Sequence, residues 1–261
     1  MIKKLLFFDI DGTLLNHEKE LPASTKETIQ KLHEAGHHVF IATGRAPFMF
    51  KQLREELGIR SFVSFNGQYV VFEDEVIYEN PLKIETLKQL LEHSSKSNHP
   101  LVFMSEEDMK STVEDHPFIH ESFGSLKFDH PDFHPHYFND KNIYQTLLFC
   151  EDGEEVMYQD YDDLHFIRWH RLSTDILPLG GSKAEGIKKI MERLGYDRED
   201  VYAFGDGLND MEMIEFAGTG VAMGNAVESL KEKADFVTKS VEEDGIQYAV
   251  EQLNLLNVSA R

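Results

Sequence analysis

Ile2-Lys3-Lys4-Leu5-Leu6-Phe7-Phe8-Asp9-Ile10-Asp11-Gly12-Thr13 is a short apolar run that stops on two acids and a glycine. A run that stays apolar without alternating marks a strand buried on both faces, as in a parallel sheet. Similar runs recur: Val39–Ala42 leads into Thr43-Gly44-Arg45, and Val201–Gly205 leads into Asp206-Gly207-Leu208-Asn209-Asp210. Helical patterns lie between them. Leu21–Ala35 carries Ile29, Leu32 and Ala35 on one face, has Pro22 in its first turn and closes at Gly36. Ala46–Leu57 closes at Gly58, and Lys183–Leu194 closes at Gly195. Strand followed by helix, repeated, predicts a doubly wound α/β layer. Thr219–Met223 and Phe236–Val237 add strands to it. Leu208–Phe216, Ala226–Ala234 and Gly245–Leu253 add helices.

The middle of the chain breaks this rhythm. Asn66-Gly67 sits between two β-rich runs within Phe62–Tyr78 and predicts a hairpin. Beyond Pro81 the composition shifts toward histidine, aromatics and proline, most densely over Asp115–Phe138. Pro100–Met104, Ile143–Phe149 and Leu164–Trp169 read as strands; Ile84–Ser94 and Glu154–Asp162 read as helices. The expected architecture is a Rossmann-like, doubly wound parallel sheet core made of residues 1–81 and 179–261. Residues 82–178 form an inserted α+β domain of ordinary size.

Charge excludes several function classes. Lys and Arg number 26 against 47 Asp and Glu, a net charge of −21. Binding to nucleic acid needs a basic face, and none is expected here. An anionic membrane surface is disfavoured for the same reason. The N-terminal apolar run is too short for a secretory leader and is cut by Asp9 and Asp11. No stretch approaches the roughly 20 apolar residues of a membrane span, so a cytoplasmic location is expected. The single cysteine, Cys150, leaves no internal disulfide and no cysteine-rich zinc site.

The chemistry resides in the residues just past the strand ends. In open parallel sheets ligands bind beyond the carboxyl ends of the strands, so three polar clusters are aimed at one crevice. Asp9, Asp11, Asp206 and Asp210 would crowd there, and crowded carboxylates repel or take up protons. A hard divalent cation resolves this, and an all-oxygen donor set points to Mg²⁺. Magnesium with few carboxylates commonly shares its shell with substrate phosphate. Lys183 at a helix start and the Thr43-Gly44 loop offer further anion contacts. Asp9 could then attack phosphorus and carry an aspartyl phosphate. Asp11, two residues on and on the same face of a regular strand, could serve as general acid and base.

Asp9-Ile10-Asp11-Gly12-Thr13-Leu14, Thr43-Gly44-Arg45, Gly181-Ser182-Lys183 and Gly205-Asp206-Gly207-Leu208-Asn209-Asp210-Met211 resemble the four motifs of the haloacid dehalogenase superfamily. With Phe65-Asn66-Gly67 and Met223-Gly224-Asn225-Ala226, the chain is similar to the Cof-type phosphatases, which carry a type IIB cap. The resemblance implies a role for each matching residue. Asp9 is nucleophile and magnesium ligand. Asp11 is the acid/base and binds magnesium through its backbone carbonyl. Asp206 is the third protein ligand, with Asp210 supporting it. Thr43, Gly44, Lys183, Asn209 and the backbone of Ile10 hold phosphate. A small phosphorylated metabolite is the expected partner, and a monomer or homodimer the expected state. Substrates expected of this subclass include sugar phosphates, pyridoxal phosphate and flavin mononucleotide, with the inserted cap choosing among leaving groups.

Each motif alone has a plainer reading. Asp-Gly pairs make turns, a lysine is usually solvated, and Arg45 is expected to orient structure. His116, His120, His130, His134 and His136 match no zinc spacing and are expected on a solvated surface. Trp169 and Phe166 are expected to pack the inserted domain's core. Three rival functions share the residues: a phosphotransferase or phosphomutase, a phospho-acceptor signalling module, and an idle binding protein.

Overall fold

The computed structural model describes residues 3–256, so Ile2 of the first predicted strand lies outside the described residues. The chain divides into two compact units. One takes the chain up to Arg45, Phe50–Tyr78, and the chain from Ser182 onward; the other takes Ala46–Met49 and Glu79–Gly181. Among the described residues thirteen strands run in chain order: β1 (Leu5–Phe8), β2 (His38–Ala42), β3 (Phe62–Ser64), β4 (Tyr69–Phe72), β5 (Glu75–Glu79), β6 (Leu101–Met104), β7 (Met109–Ser111), β8 (Gln145–Phe149), β9 (Leu164–His170), β10 (Ser173–Pro178), β11 (Val201–Gly205), β12 (Thr219–Ala222) and β13 (Phe236–Val237).

The first unit is built on an eight-stranded sheet ordered β13-β12-β11-β1-β2-β3-β4-β5. From β13 to β3 every pairing is parallel, and β4 turns back antiparallel on β3. β1 is central: Leu5 pairs with both Val201 and His38. All four of its residues are buried, which is why the sequence there is unbroken apolar. Leu5 and Phe7 join Phe40, Ala203, Ile187 and Ile190 in one core. The helix Lys183–Leu194 spans the residues its sequence predicts, started by the Ser182 hydroxyl accepting from Glu185 N–H and stopped by Gly195 in the left-handed region.

The second unit holds a five-stranded antiparallel sheet ordered β7-β6-β8-β10-β9. The helix Ile84–Lys96 contributes Leu87 and Leu90 to a core with Leu101, Phe103, Leu148 and Ile176. Phe166 packs against that core. Trp169 is not part of that core; the pairing of β9 with β10 skips it, Ser173 lying opposite His170 and Thr174 opposite Arg168. Cys150 is buried, as a small hydrophobe would be.

Several elements differ from expectation. Ala46–Leu57 is a 3-10 turn over Pro47–Phe50 and an α-helix only over Lys51–Leu57. Leu208–Phe216 splits likewise at Met211. Glu154–Asp162 shortens to a 3-10 stretch, Glu154–Tyr158, and Ala226–Ala234 to Glu228–Lys231. The hairpin at Asn66-Gly67 forms, but through a four-residue connection in which Phe65, Asn66 and Gly67 all take positive φ. A second tight turn, Glu73-Asp74, also has two positive φ values and joins β4 to β5. The helix Pro117–Ser125 and strands β7 and β10 are additional to the predicted set.

Candidate active site

Asp9 is the first residue after β1. Its backbone N–H donates to the Phe204 carbonyl on β11, so the sheet fixes its position. β1 ends at Phe8, which corrects the expectation that Asp9 and Asp11 share a strand face. Asp11 instead lies beyond the strand in an isolated bridge to Leu15, and its carboxylate is held elsewhere. Arg45 grips it at two points, Nε to Oδ2 at 2.8 Å and Nη2 to Oδ1 at 2.6 Å, and Lys19 Nζ adds a third contact at 2.5 Å. Burial alone would raise the Asp11 pKa; the Arg45 and Lys19 charges outweigh it and hold the carboxyl below its ordinary value.

Lys183, the first residue of its helix, is 1% exposed. Its Nζ donates to Asp9 Oδ1 at 2.6 Å and to Asp210 Oδ1 at 2.5 Å. Burial favours the neutral amine, but the two carboxylates reverse that and raise its pKa. Asp210 is fully buried and its other oxygen, Oδ2, accepts from the N–H groups of Asp206 and Gly207, both at 2.9 Å. Asp210 therefore shapes the loop that presents Asp206. Asp206 Oδ1 accepts from the Thr13 hydroxyl at 3.1 Å. Gly12 takes φ +76°, and a Cβ there would stand 2.2 Å from Asp206 Oδ2. Only glycine lets the chain leave β1 this close to that carboxylate.

Asp9, Asp206 and Asp210 each offer a carboxylate oxygen, all within 4.8 Å of one another. Burial pushes Asp9 up to about 7, with Asp210 and Asp11 adding repulsion and Lys183 opposing it. Burial pushes Asp206 up to about 6, again with Asp210 adding to it. Three carboxylates against one ammonium leave excess negative charge at this spot. A hard divalent cation fits such a set in charge and in donor type.

Thr43 and Gly44 come directly after β2, beside this cluster. The Thr43 hydroxyl accepts from Arg45 N–H at 3.1 Å, and its carbonyl accepts from Asn66 N–H at 3.1 Å. Asn209 Nδ2 donates to Asn66 Oδ1 at 3.4 Å. The hairpin at Asn66 thus ties the Thr43 loop to the Asn209 loop. Gly67 lies against the start of the Lys183 helix: a Cβ on it would stand 2.0 Å from the Ser182 carbonyl. Ile10 is buried, and its carbonyl accepts from Leu15 N–H at 2.8 Å.

The sequence alone assigned no role to Lys19, Asn66 or Asn225. Asn225 Nδ2 donates to the Gly12 carbonyl at 2.8 Å and lies 3.4 Å from Asp206 Oδ2. Its own Oδ1 accepts from Val241 N–H. The available signal was its place just beyond β12, the same strand-end rule that found the other clusters. Lys19 had no such signal, because it reaches Asp11 from a loop. The histidines of the second unit are individually engaged. His116 caps the helix Pro117–Ser125, His120 pairs with Asp115 at 2.6 Å, and His134 with Asp140 at 2.7 Å. Among the described residues they form no metal-binding group, and no helix is long and apolar enough to cross a membrane.

Comparison with known proteins bears on this geometry. The family model for haloacid dehalogenase-like hydrolases matches residues 6–250. The putative phosphatase YkrA of Bacillus subtilis (strain 168) is 58% identical over 256 residues, covering 98% of this chain and 100% of that protein. The crystal structure of a hypothetical protein from Geobacillus kaustophilus HTA426 superposes with a TM-score of 0.94 at 58% identity, covering 97% and 99% of the two chains. The structure of BT4131, a sugar phosphatase of HAD subclass IIB, gives 0.84 at 31% identity, covering 97% and 100%.

Proposed function

We propose a function from one premise: the chain belongs to the haloacid dehalogenase-like hydrolases. It is a phosphatase of that family. Its substrates are small phosphorylated metabolites of the sugar phosphate, pyridoxal phosphate or flavin mononucleotide class, hydrolysed through an aspartyl phosphate on Asp9. The observation that carries this reading is the buried arrangement of Asp9, Lys183 and Asp210 beside Asp206.

Asp9 supplies the nucleophile. One carboxylate oxygen forms the bond to phosphorus while the bond from phosphorus to the leaving oxygen breaks. Lys183 opposes the burial that raises the Asp9 pKa to about 7, favouring the ionised nucleophile, and its hydrogen bond to Oδ1 orients the carboxylate. Asp11 gives a proton to the leaving oxygen. In the second half Asp11 takes a proton from water as the water attacks phosphorus, releasing Asp9 and orthophosphate. Held by Arg45 and Lys19, Asp11 is ionised, which suits the second half. An incoming phosphoryl group competes for those two cations, and that competition lets Asp11 accept a proton for the first half. Thr43, Gly44, Asn209 and the Ile10 backbone hold the phosphoryl oxygens.

Asp9, Asp206 and the Asp11 carbonyl would hold magnesium, with Asp210 fixing the Asp206 loop. The ion would offset charge on the phosphoryl group, where most catalysis of this reaction lies. The inserted unit, residues 82–178 by sequence, supplies leaving-group selection. A phosphomutase sharing this chemistry would isomerise a sugar phosphate without net release of phosphate.

The test is a phosphate-release screen over these ester classes, with and without magnesium, on the native chain and Asp9→Asn. Release by the native chain, lost by about 10³-fold or more in the variant, is expected. Equal activity in the two proteins would remove Asp9 as nucleophile, and isomerised sugar without free phosphate would favour the mutase.

A further inference from the structure

Asn225 lies just past β12, in the first unit, and its two polar atoms engage different loops. Oδ1 accepts from the Val241 N–H at 2.9 Å. A backbone N–H can only donate, so this contact fixes which end of the amide is which. Nδ2 carries two hydrogens and faces two acceptors: the Gly12 carbonyl at 2.8 Å and, at a longer 3.4 Å, Asp206 Oδ2. Gly12 directly follows Asp11 on the loop leaving β1, and Asp206 opens the loop leaving β11. One amide therefore bridges the two loops that carry Asp9, the Asp11 carbonyl and Asp206.

Both ends of this bridge are anchored. The backbone before Val241 is held from two sides: Gly224 N–H donates to the Lys239 carbonyl at 2.9 Å, and Gly245 N–H to the Ser240 carbonyl at 3.1 Å. A Cβ on Gly224 would stand 2.4 Å from Ser240 N, so glycine is what allows this approach. The packing aims the Val241 N–H at Asn225. At the other end, the Asp206 carbonyl accepts from Val227 N–H at 3.0 Å, and its N–H donates to Asp210 Oδ2 at 2.9 Å. On the Asp206 carboxylate itself, the Thr13 hydroxyl occupies Oδ1 and the Asn225 amide Oδ2. Both donors are neutral. They orient the carboxylate and leave its charge available to a cation.

We propose that Asn225 is a positioning residue for magnesium: its amide sets the spacing between the Gly12 loop and the Asp206 carboxylate, and the Val241 N–H props that amide in its working orientation. This deepens the reading of the chain as a magnesium-dependent phosphatase and rests on it. Losing a group that orients a metal ligand costs about 10–100-fold in affinity. Two substitutions separate the bridge from its prop. Asn225→Ala removes the bridge and adds no charge. Val241→Pro deletes only the backbone donor, at a place where proline fits. Val241 opens a 3-10 turn, and Ser240 before it has φ −67° and ψ 162°, the extended conformation that a residue preceding proline adopts.

The experiment titrates magnesium chloride into the native chain, Asn225→Ala and Val241→Pro by isothermal calorimetry, a readout independent of turnover. Melts without magnesium identify the folded variants, so a folding defect in one leaves the other to decide. The expected result is a magnesium Kd raised about tenfold or more in Asn225→Ala, and raised by a smaller factor, about threefold, in Val241→Pro. The magnesium concentration giving half-maximal release of phosphate from para-nitrophenyl phosphate should rise by matching factors. A folded Asn225→Ala that binds magnesium as tightly as the native chain overturns the proposal, and so does a folded Val241→Pro with native affinity. In those cases the native chain still binds the ion, and the magnesium reading stands. If the native chain itself binds no magnesium, that reading fails and this proposal fails with it.

Discussion

Arg45 meets Asp11 as a fork meets a carboxylate, with two nitrogens on two oxygens at 2.8 and 2.6 Å. A lysine cannot reproduce that geometry, because it offers a single point charge. Arg45→Lys is expected to lower kcat about tenfold, a fraction of the roughly 10²–10⁴ that positioned acid–base groups supply. It also weakens the influence that holds Asp11 low, so the basic limb of the kcat/KM profile, where Asp11 must carry the proton it gives the leaving oxygen, moves to higher pH. A pH–rate series checks both, and an unmoved limb would detach Arg45 from Asp11 function.

Lys183 is the only cation touching Asp9 and Asp210 among the described residues. Lys183→Met leaves two buried carboxylates without their partner, a loss of about 3–5 kcal/mol. At roughly 2–4 °C per kcal/mol for a chain of this size, the melting temperature falls by on the order of 10 °C at pH 8. The loss is smaller at pH 5, because Asp9, with a pKa of about 7, is then protonated. Calorimetry at the two pH values measures the difference, and equal losses would contradict the assigned charge on Asp9.

Magnesium should stabilise the protein, by about 2.7 kcal/mol at a hundred times its Kd. The effect should be larger at pH 8 than at pH 5. Protons compete with the cation at Asp9 and Asp206, whose pKa values are about 7 and about 6. Melting curves with and without magnesium at both pH values give the answer. Identical curves at pH 8 would count against a magnesium site there.

Asp175 carries a distinct pH signature. Its carboxyl has an ordinary value of 3.8 and is pushed by burial to about 8 in the folded chain. Between those values the folded state binds more protons than the unfolded state, so stability declines as pH rises from 4 to 8. Asp9 and Asp206 bend the curve the same way, and the comparison with Asp175→Asn isolates one contribution. The variant should show a shallower decline in urea midpoint over that window. Parallel curves would mean that Asp175 is ionised when folded.

The first unit was the more legible part of the sequence, and the reason is burial. β1, β2 and β11 are covered on both faces, so their sequences are unbroken apolar runs. The Lys183–Leu194 helix carries both of its end signals. β10 was missed because Ser173-Thr174-Asp175 reads as a polar loop; its strand state comes from pairing with β8 and β9. The helix Pro117–Ser125 was hidden by its histidines and aromatics. In the site, the strand-end clusters of Asp9, Thr43 and Asp206 were legible because the sheet delivers them by rule. The hold of Lys19 and Arg45 on Asp11, and of Asn225 on the Gly12 carbonyl, depends on loop paths that no local pattern records.

Leu5 pairs with Val201, and that single register has a consequence for biosynthesis. At about 5–20 residues per second, the N-terminal strand waits roughly 10–40 s on the ribosome before its inner neighbour is made. The antiparallel sheet has no such delay, since every one of its strands lies between Leu101 and Pro178. The order of birth therefore runs inside out: the guest segment can condense while its host is still half-translated, and the first strand has only β2 to pair with until β11 emerges. Protease protection of nascent chains arrested at successive lengths would read out that order.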